Sequence, residues 1–143
     1  MSAKKAASLS SPHMALVVHP DMSTVSGLQS ALSGKGFTTI VARDLPTALL
    51  AMTQHYFEIA IVSAHLHENG DGWPLAGVLH LVFPKAFVAV IAPHEPDILT
   101  LQSAINYGVR EIYQQSAPAQ DVVESVLAQV EPGSSGRQSS SVQ

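Results

Sequence analysis

Seven histidines stand among the 143 residues. Four of them, His19, His65, His67 and His94, each have an acid close by in the chain: Asp21, Glu68, Asp71 and Glu95. Neutral imidazole nitrogens ligate zinc, nickel and copper, and imidazole titrates near neutral pH. This set could therefore hold a metal or sense protons. His65-x-His67 with an imidazole from a neighbouring strand end would be its tightest form. The spacing is not specific, and loop histidines without a ligand fit it equally. His55 and His80 read as surface or half-buried helix positions. No cysteine is present, which removes disulfides, thiol catalysis and cysteine zinc sites. Gly70-Asp71-Gly72 is a turn signal that lacks the glycine spacing and lysine of a phosphate loop. The turn His19-Pro20-Asp21-Met22-Ser23 has no glycine, which argues against a nucleotide-binding enzyme.

These residues need elements to hold them, and the chain alternates between two periods. Ala15–Val18 is a short apolar run ending at His19-Pro20, as a strand does. Ser23–Ser33 carries Val25, Leu28 and Leu32 at helical spacing, and Gly34 and Gly36 end that helix. Thr38–Ala42 is a β-branched run. Leu45–His55 predicts a helix with Asp44 as N-cap, Pro46 in its first turn and a stripe of Leu49, Leu50 and Met52. Glu58–Ser63 and Phe87–Ala92 are nearly continuous apolar strands. Trp73–Phe83 and Asp97–Tyr107 predict helices, the second closed by Gly108. Arg110–Gln114 is a short strand. Ala119–Val130 is an amphipathic helix turning Val122, Val123, Val126, Leu127 and Val130 inward.

Five strand–helix units with central strands apolar on both faces call for a parallel sheet covered on two sides. The expected fold is a doubly wound, flavodoxin-like α/β sheet of order 2-1-3-4-5 with five flanking helices. Right-handed crossovers put every strand-to-helix loop at one edge. That edge gathers His19–Asp21, Ser63–Gly72, Ala92–Glu95 and Gln114–Pro118.

Residues 1–13 read as a flexible tail, 14–131 as the domain, and 132–143 as a Ser/Gly-rich tail or linker. The composition is 46% hydrophobic and 13% charged, with mean hydropathy +0.21, so the chain can bury a core. Between Ala15 and Glu131 four basic residues face eleven acidic ones, a net of −7. Such a body has no footprint for nucleic-acid phosphates. No apolar run reaches the about 18 residues of a membrane span and no secretory signal is evident. The expectation is a cytoplasmic domain without nucleic-acid or membrane partners.

Several strings, ALVVHPD, VARDLPTALLAM, EIAIVSAHLHENGDGWPLAG and INYGVREIYQQSAP, resemble the receiver domain of bacterial response regulators over about residues 14–131. The resemblance implies an acid pair for Mg²⁺ where His19 and Pro20 stand, with Asp21 one step late. It implies a phosphoacceptor aspartate at Ser63, a switch Thr or Ser at Ala92, a lysine at Gln115 and a proline at Ser116. The aromatic switch falls on Ile112, with Tyr113 beside it.

Each departure has a chemical cost. Transfer to an aspartate needs a carboxylate nucleophile, Mg²⁺ on the phosphoryl oxygens and a cation to spread charge. Pro20 offers Mg²⁺ no side-chain oxygen and His19 is a poor ligand for it. Ser63 has no obvious base, and Gln115 supplies no charge. The chain thus resembles a degenerate pseudo-receiver: no enzyme, no cofactor, and a phosphorylation-independent module of two-component signalling that acts by protein contact. The resemblance implies a kinase, regulator or fused output domain as partner, or a homodimer through the fourth helix, fifth strand and fifth helix. Candidate contact residues are Asp97, Gln102, Arg110, Ile112 and Tyr113, with Trp73 as a separate anchor; core packing is the competing role for Tyr113 and Trp73. A metal- or pH-sensing domain built on His19, His65, His67 and His94 is the alternative.

Overall fold

A computed structural model describes residues 13–66 and 72–130. The strands are β1 (His13–Val18), β2 (Phe37–Ala42), β3 (Ile59–Ser63), β4 (Phe87–Ala92) and β5 (Glu111–Gln114). The helices are α1 (Met22–Gly34), α2 (Leu45–Gln54), α3 (Gly72–Val82), α4 (Ile98–Asn106) and α5 (Ala119–Val130). The sheet runs β2-β1-β3-β4-β5 and every pairing is parallel, which is the expected doubly wound order. β1 starts at His13, one residue before the boundary read for the domain. Among the described residues no helix is long and apolar enough to cross a membrane.

Strand alternation divides the core in two. Leu16, Val18, Ala60, Val62, Val88 and Val90 face one side, where α2 and α3 supply Ala48, Ala51, Met52, Leu75, Ala76 and Leu79. Ala15, Val17, Ile59, Ile61, Ala89 and Ile91 face the other, against Val25, Leu28 and Leu32 of α1 and Val122, Val123, Val126 and Leu127 of α5. Burying each Leu, Val or Phe side chain contributes about 1.5–3 kcal/mol.

The stripe expected on α2 is corrected. Met52 is buried, but Leu49 and Leu50 are exposed, Leu50 to 58%. Ala48 and Ala51 take the inner face instead. Small side chains let the helix axis lie close to the sheet, and the leucines turn outward. α5 follows the expected pattern, with Val130 at the rim of the core.

The helix ends follow local chemistry. Asp21, Asp44 and Asp97 are N-caps, each accepting the backbone N–H three residues on, which satisfies an otherwise orphaned donor. Gly108 closes α4 at φ +79°, a left-handed conformation that glycine adopts without a Cβ clash. Gly72 answers a different demand. Its N–H donates to the Ala64 carbonyl at 3.2 Å, and a Cβ there would lie 1.8 Å from the Ser63 carbonyl oxygen. Only glycine lets α3 start so close to the end of β3.

Gly72→Ala is therefore expected to destabilise the fold by about 3 kcal/mol, the upper end of overpacking costs, because backbone blocks the new methyl. Gly34→Ala, at a helical position with open space around it, is expected to stabilise by about 0.5 kcal/mol. Urea unfolding of the two variants checks both signs; equal midpoints would contradict the close approach at Gly72.

Candidate functional site

The carboxyl ends of β1, β3, β4 and β5 meet at one edge, where ladder bonding runs on past the strands. His19 N–H donates to Ala42 O, Ala64 N–H to Ile91 O and Gln115 N–H to Ala92 O. The ladder thus runs one residue past the ends of β1, β3 and β5.

His19 is only 4% exposed. Its Nδ1 accepts the Asp21 backbone N–H at 3.1 Å, so Nε2 carries the proton and donates to Gln115 Oε1 at 3.2 Å. Gln115 Nε2 donates to Thr24 Oγ1 at 3.1 Å. Thr24 donates to Asp21 Oδ2 twice, from its hydroxyl at 2.7 Å and its backbone N–H at 3.0 Å. Ser23 Oγ donates to the same oxygen. The circuit Asp21–His19–Gln115–Thr24 closes on itself. Burial pushes the His19 imidazole below its ordinary pKa, opposed by the Gln115 bond and the Asp21 charge. The Thr24 hydroxyl, with the Thr24 amide and the Ser23 hydroxyl, holds the Asp21 carboxyl below its usual range. The two side chains at the expected acid and lysine positions, His19 and Gln115, thus bond each other as neutral dipoles.

Pro20 contributes only its carbonyl, which accepts from Arg43 Nη2 at 2.8 Å. Sequence reasoning overlooked Arg43; its position just beyond the second strand, at the same edge, was the available signal. Ser63 ends β3, 5% exposed. Its hydroxyl donates to the His65 carbonyl at 3.0 Å and accepts the His65 N–H at 3.2 Å. This local turn points the hydroxyl proton at a carbonyl rather than at a base that could activate the oxygen. Ala92 is buried at the end of β4, and Ser116 is exposed just beyond β5.

Among the described residues, His19 stands apart from His65 and His94. His65 and His94 line a cleft of about 300 Å³ together with Trp73, Glu95, Asp97 and Thr100, and Ala64 and Ala92 also line it. His19 belongs to the separate circuit, with both ring nitrogens engaged. His67, Glu68 and Asp71 lie outside the described residues. Among the described residues no group of three or more His, Asp or Glu side chains is placed to hold a metal ion.

Trp73 is half-buried, packed on the core beneath α3, and also walls the cleft. Ile112 and Tyr113 point to opposite sides of the sheet, each half-buried against a different core. The Tyr113 hydroxyl donates to Ser125 Oγ at 2.8 Å, and burial raises its pKa. Arg110 is exposed with its guanidinium 5.2 Å from the Phe87 ring centre. Asp97 caps α4, and its carboxyl is held below its usual range by the Thr100 backbone N–H. Gln102 is exposed on α4. It has apolar company there: Ile98, Leu99, Leu101 and Ile105 are exposed, Ile105 to 74%. Sequence reasoning passed over these four. The signal was Asp97–Tyr107 itself, which carries more apolar residues than one buried stripe uses; Ala104 alone in α4 is buried.

No protein-family profile and no curated protein sequence matches the chain. Solved structures do. A response regulator from Burkholderia pseudomallei, solved with a phosphorylated aspartic acid, calcium ion and citrate, is 23% identical with TM-score 0.72, over 90% of this chain and 72% of that one. A CheY-like receiver domain protein from Methanospirillum hungatei is 16% identical with TM-score 0.76, over 85% of this chain and 95% of that one. The signal receiver domain of an HD domain-containing protein from Pseudomonas fluorescens is 24% identical with TM-score 0.74, over 88% of this chain and 99% of that one. The chain has the fold of response-regulator receiver domains.

The His19 geometry carries a pH dependence. Unfolded, its imidazole takes a proton at the ordinary 6.5; folded, it resists to lower pH, because burial disfavours the charged ring, and a protonated Nδ1 would lose the Asp21 N–H bond. The unfolded state therefore binds more protons in that window. The stability contributed is complete above about pH 6.5 and is lost as pH falls through the depressed folded value. Urea midpoints taken above and below pH 6.5 should fall on acidification, and less steeply in His19→Asn. An unchanged slope in the variant would remove His19 as the source.

Proposed function

We propose that this chain is a phosphorylation-independent signalling module, a pseudo-receiver that acts through protein contacts and catalyses no reaction. The single observation that carries this reading is the closed circuit of His19, Gln115, Thr24 and Asp21. Phosphoryl transfer to a carboxylate needs an acid pair holding Mg²⁺ and a cation facing the nucleophile. By the resemblance, His19 and Gln115 stand where that chemistry needs an acid and a cation, and the circuit ties each to the other. The Burkholderia pseudomallei protein was solved with a phosphorylated aspartic acid. Here β3 ends on Ser63, followed by Ala64, His65 and Leu66, so no carboxylate stands there.

With the chemistry gone, the contact surface is what remains to act. The exposed Ile98, Leu101 and Ile105 of α4, with Arg110 and Gln102 nearby in the chain, make the α4–β5–α5 side suited to a protein partner such as a kinase, a regulator or a fused output domain. We place the protein in the cytoplasm. A second reading, a histidine-based sensor, has one observation in its favour: His65 and His94 line the same cleft. Zinc titration followed on the imidazole resonances separates the two.

Incubation with acetyl phosphate and Mg²⁺ is expected to leave the intact mass unchanged, both for the natural chain and for Ser63→Asp. The variant restores a carboxylate but neither the metal site nor the cation. A hydroxylamine-sensitive phosphoryl adduct on the natural chain would overturn the reading.

A further inference from the structure

The edge opposite the His19 circuit, where the strands begin, carries a cleft of about 400 Å³. His13 and Phe37, at the starts of β1 and β2, line it. Lys35, Tyr56, Glu58 and Lys85 reach it from the turns that lead into β2, β3 and β4. The last turn of α5 closes one side with apolar groups.

The charge of this cleft differs from that of the body around it. Between Ala15 and Glu131 eleven acids oppose four cations, Lys35, Arg43, Lys85 and Arg110. Arg43 is bound to the Pro20 carbonyl and Arg110 lies over the Phe87 ring. The other two line this one cleft. Lys85 has no hydrogen-bond or ion-pair partner among the described residues. Lys35 comes within 4.0 Å of one carboxylate, Glu124, and both side chains are exposed, an arrangement that holds a lysine weakly. Lys35 also caps α1, where a cation offsets the helix dipole; Lys85 belongs to no helix and has no such duty. The acid in the cleft wall, Glu58, is already engaged, with His13 Nδ1 at 3.0 and 3.2 Å from its two oxygens. Two ammonium groups are therefore presented to whatever enters.

The walls between them are aromatic. Tyr56 is 57% exposed, yet its ring is set perpendicular to that of Phe83, centroids 5.4 Å apart. Its hydroxyl has no partner among the described residues. The Phe37 ring lies against His13 at 5.3 Å. Fixed rings offer a flat contact surface at small entropic cost. Two point charges suit a dianion, and a phosphate monoester carries about −1.5 to −2 at pH 7. The volume falls in the range of about 300–1,000 Å³ usual for small-molecule sites.

We propose that this cleft binds a small aromatic phosphate monoester, its phosphate taken by Lys35 and Lys85 and its ring by Tyr56 and Phe37. The site is at the other end of the strands from the His19 circuit and does not depend on that circuit being inert.

Titration of the full chain with phenyl phosphate, followed by nuclear magnetic resonance, is expected to shift the Tyr56, Glu58 and Lys85 amide signals and to saturate at millimolar concentration or below. Lys35→Gln and Lys85→Gln should each weaken binding about tenfold, as loss of one charge-assisted contact does. Arg110→Gln, which removes a cation outside the cleft, should leave it unchanged. Tyr56→Ser should weaken binding of phenyl phosphate and not of inorganic phosphate, which separates the ring from the charge. All four side chains are exposed, and the amide spectra of the unliganded variants check that the fold is kept. Absence of a saturable shift would overturn the proposal. So would an equal loss in Arg110→Gln, the mark of a diffuse attraction for anions. A phosphotyrosine peptide that binds more tightly than phenyl phosphate would overturn the assignment to a small molecule.

Discussion

Every residue of β3 and β4 is buried, so neither face of the sheet centre is available to water and helices must cover both. That constraint determines the rest. Parallel strands that are apolar throughout leave no room for polar chemistry along their length. Side chains able to bond or titrate are displaced to the strand ends, and the crossovers gather those ends at one edge. The same constraint draws α2 close to the sheet. Ala48 and Ala51 are small enough for that approach, and Leu49 and Leu50 are left outside.

At the edge, His19 and Gln115 meet as neutral dipoles where the receiver resemblance leads one to expect charges. An acid pair facing a lysine is stable because opposite charges offset their own desolvation, and it strengthens when a cation arrives. His19 and Gln115 solve the same packing problem without formal charge. Both ring nitrogens of His19 and both amide atoms of Gln115 find partners. Arg43, turned to the Pro20 carbonyl, adds a cation to the rim, bound to a backbone dipole.

Much of this was legible in the residues. Asp44 announced its helix, Gly108 announced the end of α4, and alternation put Ile112 and Tyr113 on opposite sides. The strand order followed from apolar runs and right-handed crossovers. What was not legible depended on distances between parts of the chain. Leu49, Leu50 and Met52 made as good a helical stripe as Ala48, Ala51 and Met52, and only the closeness of the sheet decides between them. The partner of His19 lies 96 residues away, beyond any spacing rule. His19, His65 and His94 looked like parts of one set because all follow strand ends, yet His19 bonds Gln115 while His65 and His94 line a different cleft.

The caps carry a further consequence. Helices α1, α2 and α4 contain no Asp, Glu, Lys or Arg within their spans, so no side-chain charge inside them acts on the helix dipole. Each has its negative counterpart in one aspartate just outside its first turn: Asp21, Asp44 and Asp97. Three helices on two faces of the sheet therefore rely on a single kind of ion at their positive ends. Protonation of Asp21 and Asp97, whose carboxyls are held below their usual range, would remove that counterpart from α1 and α4. The starts of α1 and α4, far apart in the chain, thus answer to acid through the same chemistry.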